Sequence, residues 1–202
     1  MKKMVFFIWI TISFLSCNFQ TSQKDNATVK FECKEIGWSF EYPSNWKILT
    51  DNEIAIIEGR GKTAMEETMN EKIEVNHKNL LYLKKDPFNS FSSTIQPFDS
   101  ITDGPYPETQ TALNQLIIET YKNQGMQFDY KIGKEIIDGL EFQTLESIIY
   151  SSDRKKIIMN QIMYDRLING KMSLTLSINY NNEKDKQSLF GIIRTSKITF
   201  RQ

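Results

Sequence analysis

One histidine and two cysteines, His77, Cys17 and Cys33, bound the chemistry open to this 202-residue chain. A zinc site built from nitrogen and sulfur ligands needs more of them than the chain has. His77 stands in the polar run Val75-Asn76-His77-Lys78-Asn79. It has no Ser or Cys nearby in a recognised nucleophile elbow, so it reads as a solvated loop histidine rather than a general base. Glu58-Gly59-Arg60-Gly61-Lys62-Thr63 contains the Gly-Lys-Thr of a phosphate loop, but Ile56 occupies the place of the first glycine. Ile54 to Ile57 therefore reads as a strand and the glycines as the turn after it. Asp99-Ser100-Ile101-Thr102-Asp103-Gly104 imitates a calcium loop, yet Ile101 stands where an oxygen ligand is required. Glu66 with Glu67 and Glu71 with Glu74 have the spacing of a solvated helix face, not of an acid–base pair. No catalytic residue, metal or cofactor is assigned, and the chain is expected not to be an enzyme.

Residues 84–106 are the remaining irregular stretch, rich in proline and aromatics, with short strands at best. Long structured loops on a rigid scaffold tend to carry binding, and aromatic side chains supply much of interface energy. Phe88, Phe91, Phe98 and Tyr106, together with Trp46, are the candidate binding surface. The structural alternative is that these rings pin the segment to a sheet.

The elements that must position such a surface are legible in the alternation of side chains. Met172, Leu174, Leu176, Ile178 and Tyr180 are apolar, while Ser173, Thr175, Ser177 and Asn179 between them are polar. That period of two is a half-buried strand. Residues 127–137 and 140–150 repeat it more loosely, as do Trp38, Phe40 and Tyr42. Asp138-Gly139 and Asn169-Gly170 are dipeptides suited to tight hairpins, and Ser151 to Arg154 forms a third turn. Strands at 127–137, 140–150, 156–168 and 171–180 then form an antiparallel meander. A helix is expected between Pro107 and Gly125, with Leu113, Leu116, Ile117 and Tyr121 at helical steps. Another follows Asn182 as N-cap and presents Leu189, Phe190, Ile192 and Ile193. A shorter helix carries Met65, Met69 and Ile73. Helices outside a meander indicate an α+β layered domain.

The N-terminus adds an address. Lys2 and Lys3 precede the uncharged, mostly apolar run Val5 to Leu15, too short for the about 20 residues of a spanning helix and suited to a secretory signal peptide. Leu15-Ser16-Cys17 resembles a bacterial lipobox, although Phe14 departs from the preferred Leu. The resemblance implies cleavage before Cys17 and lipid, including palmitate, on that residue. Residues 18–26 are polar and aperiodic and read as a tether. Gln23-Lys24-Asp25 is similar to part of the surface-export signal of some Bacteroidetes lipoproteins, but sits late and lacks the acidic run. The expected organisation is a signal peptide at 1–16, lipid anchor and tether at 17–34, and one globular domain at 35–202.

The 25 basic and 25 acidic residues balance, and losing Lys2 and Lys3 would leave a net charge of −2. That balance argues against nucleic acid as a partner and against a polybasic grip on anionic lipid. The expected partners are the membrane, through the lipid, and an unidentified protein; the alternatives are a carrier of a small molecule or lipid, in an aromatic-lined groove formed by the 86–106 stretch and Trp46, and an enzyme of unrecognised chemistry. Cys33, the thiol left once Cys17 is lipidated, reads as a small half-buried side chain.

Gly37-Trp38-Ser39-Phe40-Glu41-Tyr42-Pro43-Ser44-Asn45-Trp46-Lys47 resembles the opening of PsbP-like domains, a strand of aromatics ending in Tyr-Pro and followed by Trp. The close, Phe190-Gly191-Ile192-Ile193-Arg194-Thr195-Ser196-Lys197-Ile198-Thr199-Phe200, is similar to that group too. The group includes DcrB-like bacterial lipoproteins and the Ran-binding Mog proteins. The resemblance implies a PsbP-like α/β/α sandwich, a central antiparallel sheet with helices packed on both faces. It also implies an accessory or assembly role and supplies no catalytic residue; the leader and lipobox are what place the chain in the cell envelope, at the periplasmic or cell-surface side of a membrane.

Overall fold

Two turns set the register of the main sheet. Asp138-Gly139 and Asn169-Gly170 have φ of 48° and 78°, and of 52° and 66°. These are the left-handed pairs that a type I′ hairpin demands and that match the twist of the strands they join. The computed structural model describes residues 27–199; the leader, Cys17 and the 18–26 stretch lie outside the described residues.

In chain order the elements are β1 (Thr28–Cys33), β2 (Trp38–Pro43), β3 (Lys47–Ile48), α1 (Asp51–Met69), β4 (Lys78–Lys84), β5 (Ser90–Pro97), α2 (Tyr106–Asn123), β6 (Gln127–Ile137), β7 (Leu140–Tyr150), β8 (Ile157–Ile168), β9 (Met172–Tyr180), α3 (Glu183–Thr195) and β10 (Lys197–Ile198). A seven-stranded antiparallel sheet runs β3-β4-β5-β9-β8-β7-β6, and a three-stranded one runs β1-β2-β10. The expected meander is β6 to β9.

Two cores lie on the two faces of the large sheet. On one, Leu174, Leu176 and Ile178 of β9, with Phe91 and Ile95 of β5 and Tyr164 of β8, meet Trp38 and Phe40 of β2 and Leu189, Ile192 and Ile193 of α3. On the other, Leu145 of β7 meets Ile117 and Ile118 of α2, with Met65 of α1 against them. Helices thus pack on both faces of an antiparallel sheet, the α+β architecture expected. Each buried aromatic contributes ~2–3 kcal/mol of transfer free energy, so the Trp38, Phe40 and Phe91 cluster is the densest source of stability in the first core.

The opening and closing blocks of the domain meet physically. Trp38 Nε1 donates to Ser196 Oγ at 3.2 Å, and Ser196 donates in turn to the Ile192 carbonyl. Ser196 is also the residue at which α3 ends and β10 begins, pairing Ile198 with Trp38. Pro43 ends β2 as its missing N–H requires.

Three expectations give way. Ile54 to Ile57 is not a strand but part of α1, because Thr50 and Glu53 form a capping box that starts a helix before the isoleucines are reached. Gly59 and Gly61 then lie within that helix rather than in a turn, and the helix stops at Met69, short of Ile73. The 86–106 stretch contains a full strand, β5, paired on both sides, to β4 and β9. Its serines conceal the alternation, since Ser90, Ser92 and Thr94 occupy one face while Phe91 and Ile95 occupy the other. Finally, β1 at Thr28–Cys33 pairs residue by residue with β2, so the folded part begins before position 35. Cys33 within it is half-buried and free.

Candidate functional site

The five aromatic candidates do not form one surface. Phe91 is fully buried, with its ring 5.3 Å from Phe40 and 6.4 Å from Trp38. Phe98 and Tyr106 pack edge to face at 5.1 Å, Tyr106 at the start of α2. Trp46 is buried within the first core beside β2. Phe88 alone is openly exposed, at 39%, in the turn between β4 and β5. Phe91 is thereby corrected from binding candidate to core residue, placed there by the parity of β5.

Trp46 does border a cleft, of about 380 Å³, between the end of β2 and α3. Its walls are charged rather than aromatic: Glu41, Lys85, Lys184 and Asp185, with Gly191 and Thr195 along α3. One wall is held by a polar network. Lys85 pairs with the buried Asp185, and Asp185 accepts from Asn182 Nδ2 at 2.8 Å. Buried Asn89 donates to Asp86 and to Asn181 Oδ1, and its own Oδ1 accepts from the Asn181 N–H at 3.1 Å. Burial works to raise the Asp86 carboxyl, but the N–H groups of Phe88 and Asn89 and the Asn89 amide outweigh it and hold it below the usual carboxylate range. The network ties the β4–β5 turn to the start of α3, elements 100 residues apart. A second groove, of about 250 Å³, lies between α1 and α2 and is almost wholly apolar, lined by Gly61, Ala64, Met65, Ile117, Met126 and Met163. None of the aromatic candidates reaches it.

Under α2 the large sheet carries a buried polar layer. Tyr106 and Ser173 share a hydroxyl hydrogen bond at 3.1 Å at one end of the helix, and Tyr121 donates to Gln161 Oε1 at 2.6 Å at the other. Gln110 and Asn114 lie on the same helical stripe between these tyrosines, buried, with no partner for either side-chain oxygen among the described residues. Asp165 belongs to the layer, 3% exposed, with Thr175 Oγ1 donating to it at 2.5 Å. Burial pushes the Asp165 carboxyl up to about 6, against the Thr175 bond, which favours its charged form. Raised from 3.8, the folded group holds its proton more tightly than the unfolded chain does. The fold therefore suffers no penalty from Asp165 below pH ~4, loses stability as pH climbs to ~6, and bears the full ~3 kcal/mol above it. Asp165→Asn is expected to remove this slope and to raise stability at pH 7.5 by up to ~3 kcal/mol. Urea melts of both proteins from pH 4 to 7.5 check it; parallel pH profiles would contradict the assignment.

Nothing in the sequence singled out Asp165 or the Lys85–Asp185 network. The signal for Asp165 was available, since a carboxylate within Ile162-Met163-Tyr164-Asp165-Arg166-Leu167-Ile168 interrupts a strand apolar on both faces. His77 is also not simply solvated: its Nε2 lies 2.8 Å from Glu58 Oε1 of α1, which also accepts from Asn79. Glu66 pairs with Lys72 and Lys62 and accepts from the Ile73 N–H, and its carboxyl is held low chiefly by Lys72. It is a helix-end anchor. Among the described residues no three His, Cys, Asp or Glu side chains converge as a metal site.

A seven-stranded antiparallel sheet with α3 on one face and α1 and α2 on the other is a PsbP-like fold. The solution structure of cyanobacterial PsbP (CyanoP) from Synechocystis sp. PCC 6803 superposes with a TM-score of 0.55 at 12% identity, covering 85% of this chain and 92% of that one. At that identity the likeness is one of fold. No family model and no curated protein matches the sequence.

Proposed function

We propose that this chain is a lipid-anchored envelope protein whose PsbP-like domain is a non-enzymatic accessory module that docks a protein partner. The observation that carries the reading is the order of the N-terminal residues. Lys2-Lys3, the apolar run to Leu15, Ser16-Cys17 and the polar 18–26 stretch lead directly into β1, an edge strand of the small sheet. Each buried lipid CH₂ contributes ~0.8 kcal/mol, so several acyl chains on Cys17 hold the domain at a bilayer without any help from its charge. Among the described residues no helix is long and apolar enough to cross a membrane. The domain would then stand at the periplasmic or the cell-surface side of that membrane.

A second reading, a carrier of small apolar molecules, is favoured by the α1–α2 groove, where Met65, Met126 and Met163 supply adaptable walls and Gly61 and Ala64 leave room. Native and denaturing mass spectra of the full-length protein, purified gently from membranes, separate the two. The module reading expects the same mass in both, and crosslinking to a partner in intact cells. An extra mass lost on denaturation would replace it with the carrier. Robust turnover of a substrate, abolished by one side-chain change, would overturn both.

A further inference from the structure

The large sheet ends unequally. At one edge β3 is only two residues long, whereas at the other β6 runs 11 residues, all in unbroken register with β7. No described strand pairs with the far edge of β6. Tyr130, Ile132 and Ile136 lie on one face of this strand and are 48%, 53% and 63% exposed. The row begins under cover, since Phe128 packs edge to face on Tyr121 of α2 at 5.4 Å, and then runs out beyond the helix. Lys134 shares that face and is held by Glu141 of β7 at 2.8 Å. A long edge strand with exposed apolar side chains and no proline is a template for another strand.

We propose that β6 pairs antiparallel with the β6 of a second copy of this chain, about a two-fold axis at Gly133. The choice of a second copy rests on self-complementarity. In an antiparallel two-fold pair, opposite residues share a face, so only registers that place a residue on itself are open. Centring on Lys131 or Lys134 sets lysine against lysine, and centring on Ile132 opposes Asp129 to Glu135. Centring on Gly133 sets Lys131 against the partner's Glu135 twice over and Tyr130 against the partner's Ile136 twice over, along nine residues from Asp129 to Ile137. Centring on Tyr130 also opposes unlike charges, Lys131 and Asp129, but pairs seven residues and leaves Ile136 bare. The two-residue β3 at the other edge offers no second template, so the pairing closes at two copies and does not grow into a fibre.

Sedimentation velocity of the full-length protein in non-ionic detergent tests this. The wild type is expected as a dimer. Lys131→Glu sets two like-charged pairs across the axis and is expected to weaken association by ~10-fold or more, while Lys131→Glu with Glu135→Lys restores it. Thermal melts show that the variants are folded, and the restoration separates a specific register from general edge stickiness. Cysteines at 131 and 135 together, with Cys33→Ser, are expected to crosslink two chains on mild oxidation, and either alone is not. A wild type that stays monomeric at high micromolar loading overturns the proposal. So does a dimer indifferent to the charge changes, and so does crosslinking through 129 and 131 instead.

Discussion

Phe91→Ala is expected to destabilise the domain by ~3–5 kcal/mol, the range for emptying a fully buried aromatic site. For a chain of this size that lowers Tm by about 10 °C or more. Phe91 has no exposed surface, and its neighbours Trp38 and Phe40 are themselves fully buried, their ring centroids 4.5 Å apart. The ring projects from a strand hydrogen-bonded on both sides, so the site cannot collapse without moving β4 or β9. Phe88→Ala is the comparison: one turn away but exposed, it is expected to shift stability by less than about 0.5 kcal/mol. Urea titrations of the two variants measure both numbers. A Phe91→Ala protein as stable as wild type would mean that the ring is not in the core and would return it to the surface.

Cys17→Ala has the larger effect on behaviour. It is expected to abolish partitioning of the full-length protein into a detergent phase and to leave it extractable from membranes by high salt or alkali. The reason is arithmetic. Acyl chains contribute ~0.8 kcal/mol per buried CH₂, whereas the balanced charge of the chain gives no compensating attraction to anionic lipid. The folded domain is expected to keep its wild-type Tm, because β1 begins well after the substituted position, at Thr28. A Cys17→Ala protein that stays in the membrane fraction in high salt would show that something else holds it there.

What the sequence conveyed about the fold was whatever depends on near neighbours. The Asp138-Gly139 and Asn169-Gly170 turns fix two hairpins, β6 with β7 and β8 with β9, through backbone preference alone. Asn182 marks the start of α3 because its side chain accepts from the Asp185 N–H three residues on. Where two local signals conflicted, the reading failed. The apolar run Ile54 to Ile57 suits a strand, and only the Thr50–Glu53 capping box discloses the helix. Ser90, Ser92 and Ser93 suit a loop, and only the burial of Phe91 and Ile95 between β4 and β9 discloses the strand. The cleft was less legible still. Lys85 and Asp185 meet because the β4–β5 turn is carried against α3 by the sheet order, and no spacing along the chain encodes that meeting. Trp46 was found because a tryptophan after Tyr-Pro is conspicuous, but its charged neighbours in the cleft were not.

The proposal stands most directly on Cys17. The measurement that tests it is the intact mass, under denaturing conditions, of the protein extracted from the membranes of a bacterial host that processes lipoproteins. The account predicts a chain that begins at Cys17 and carries the added mass of covalent acyl chains on that residue. A chain that keeps residues 1–16, or one cut elsewhere with Cys17 unmodified or absent, would contradict it.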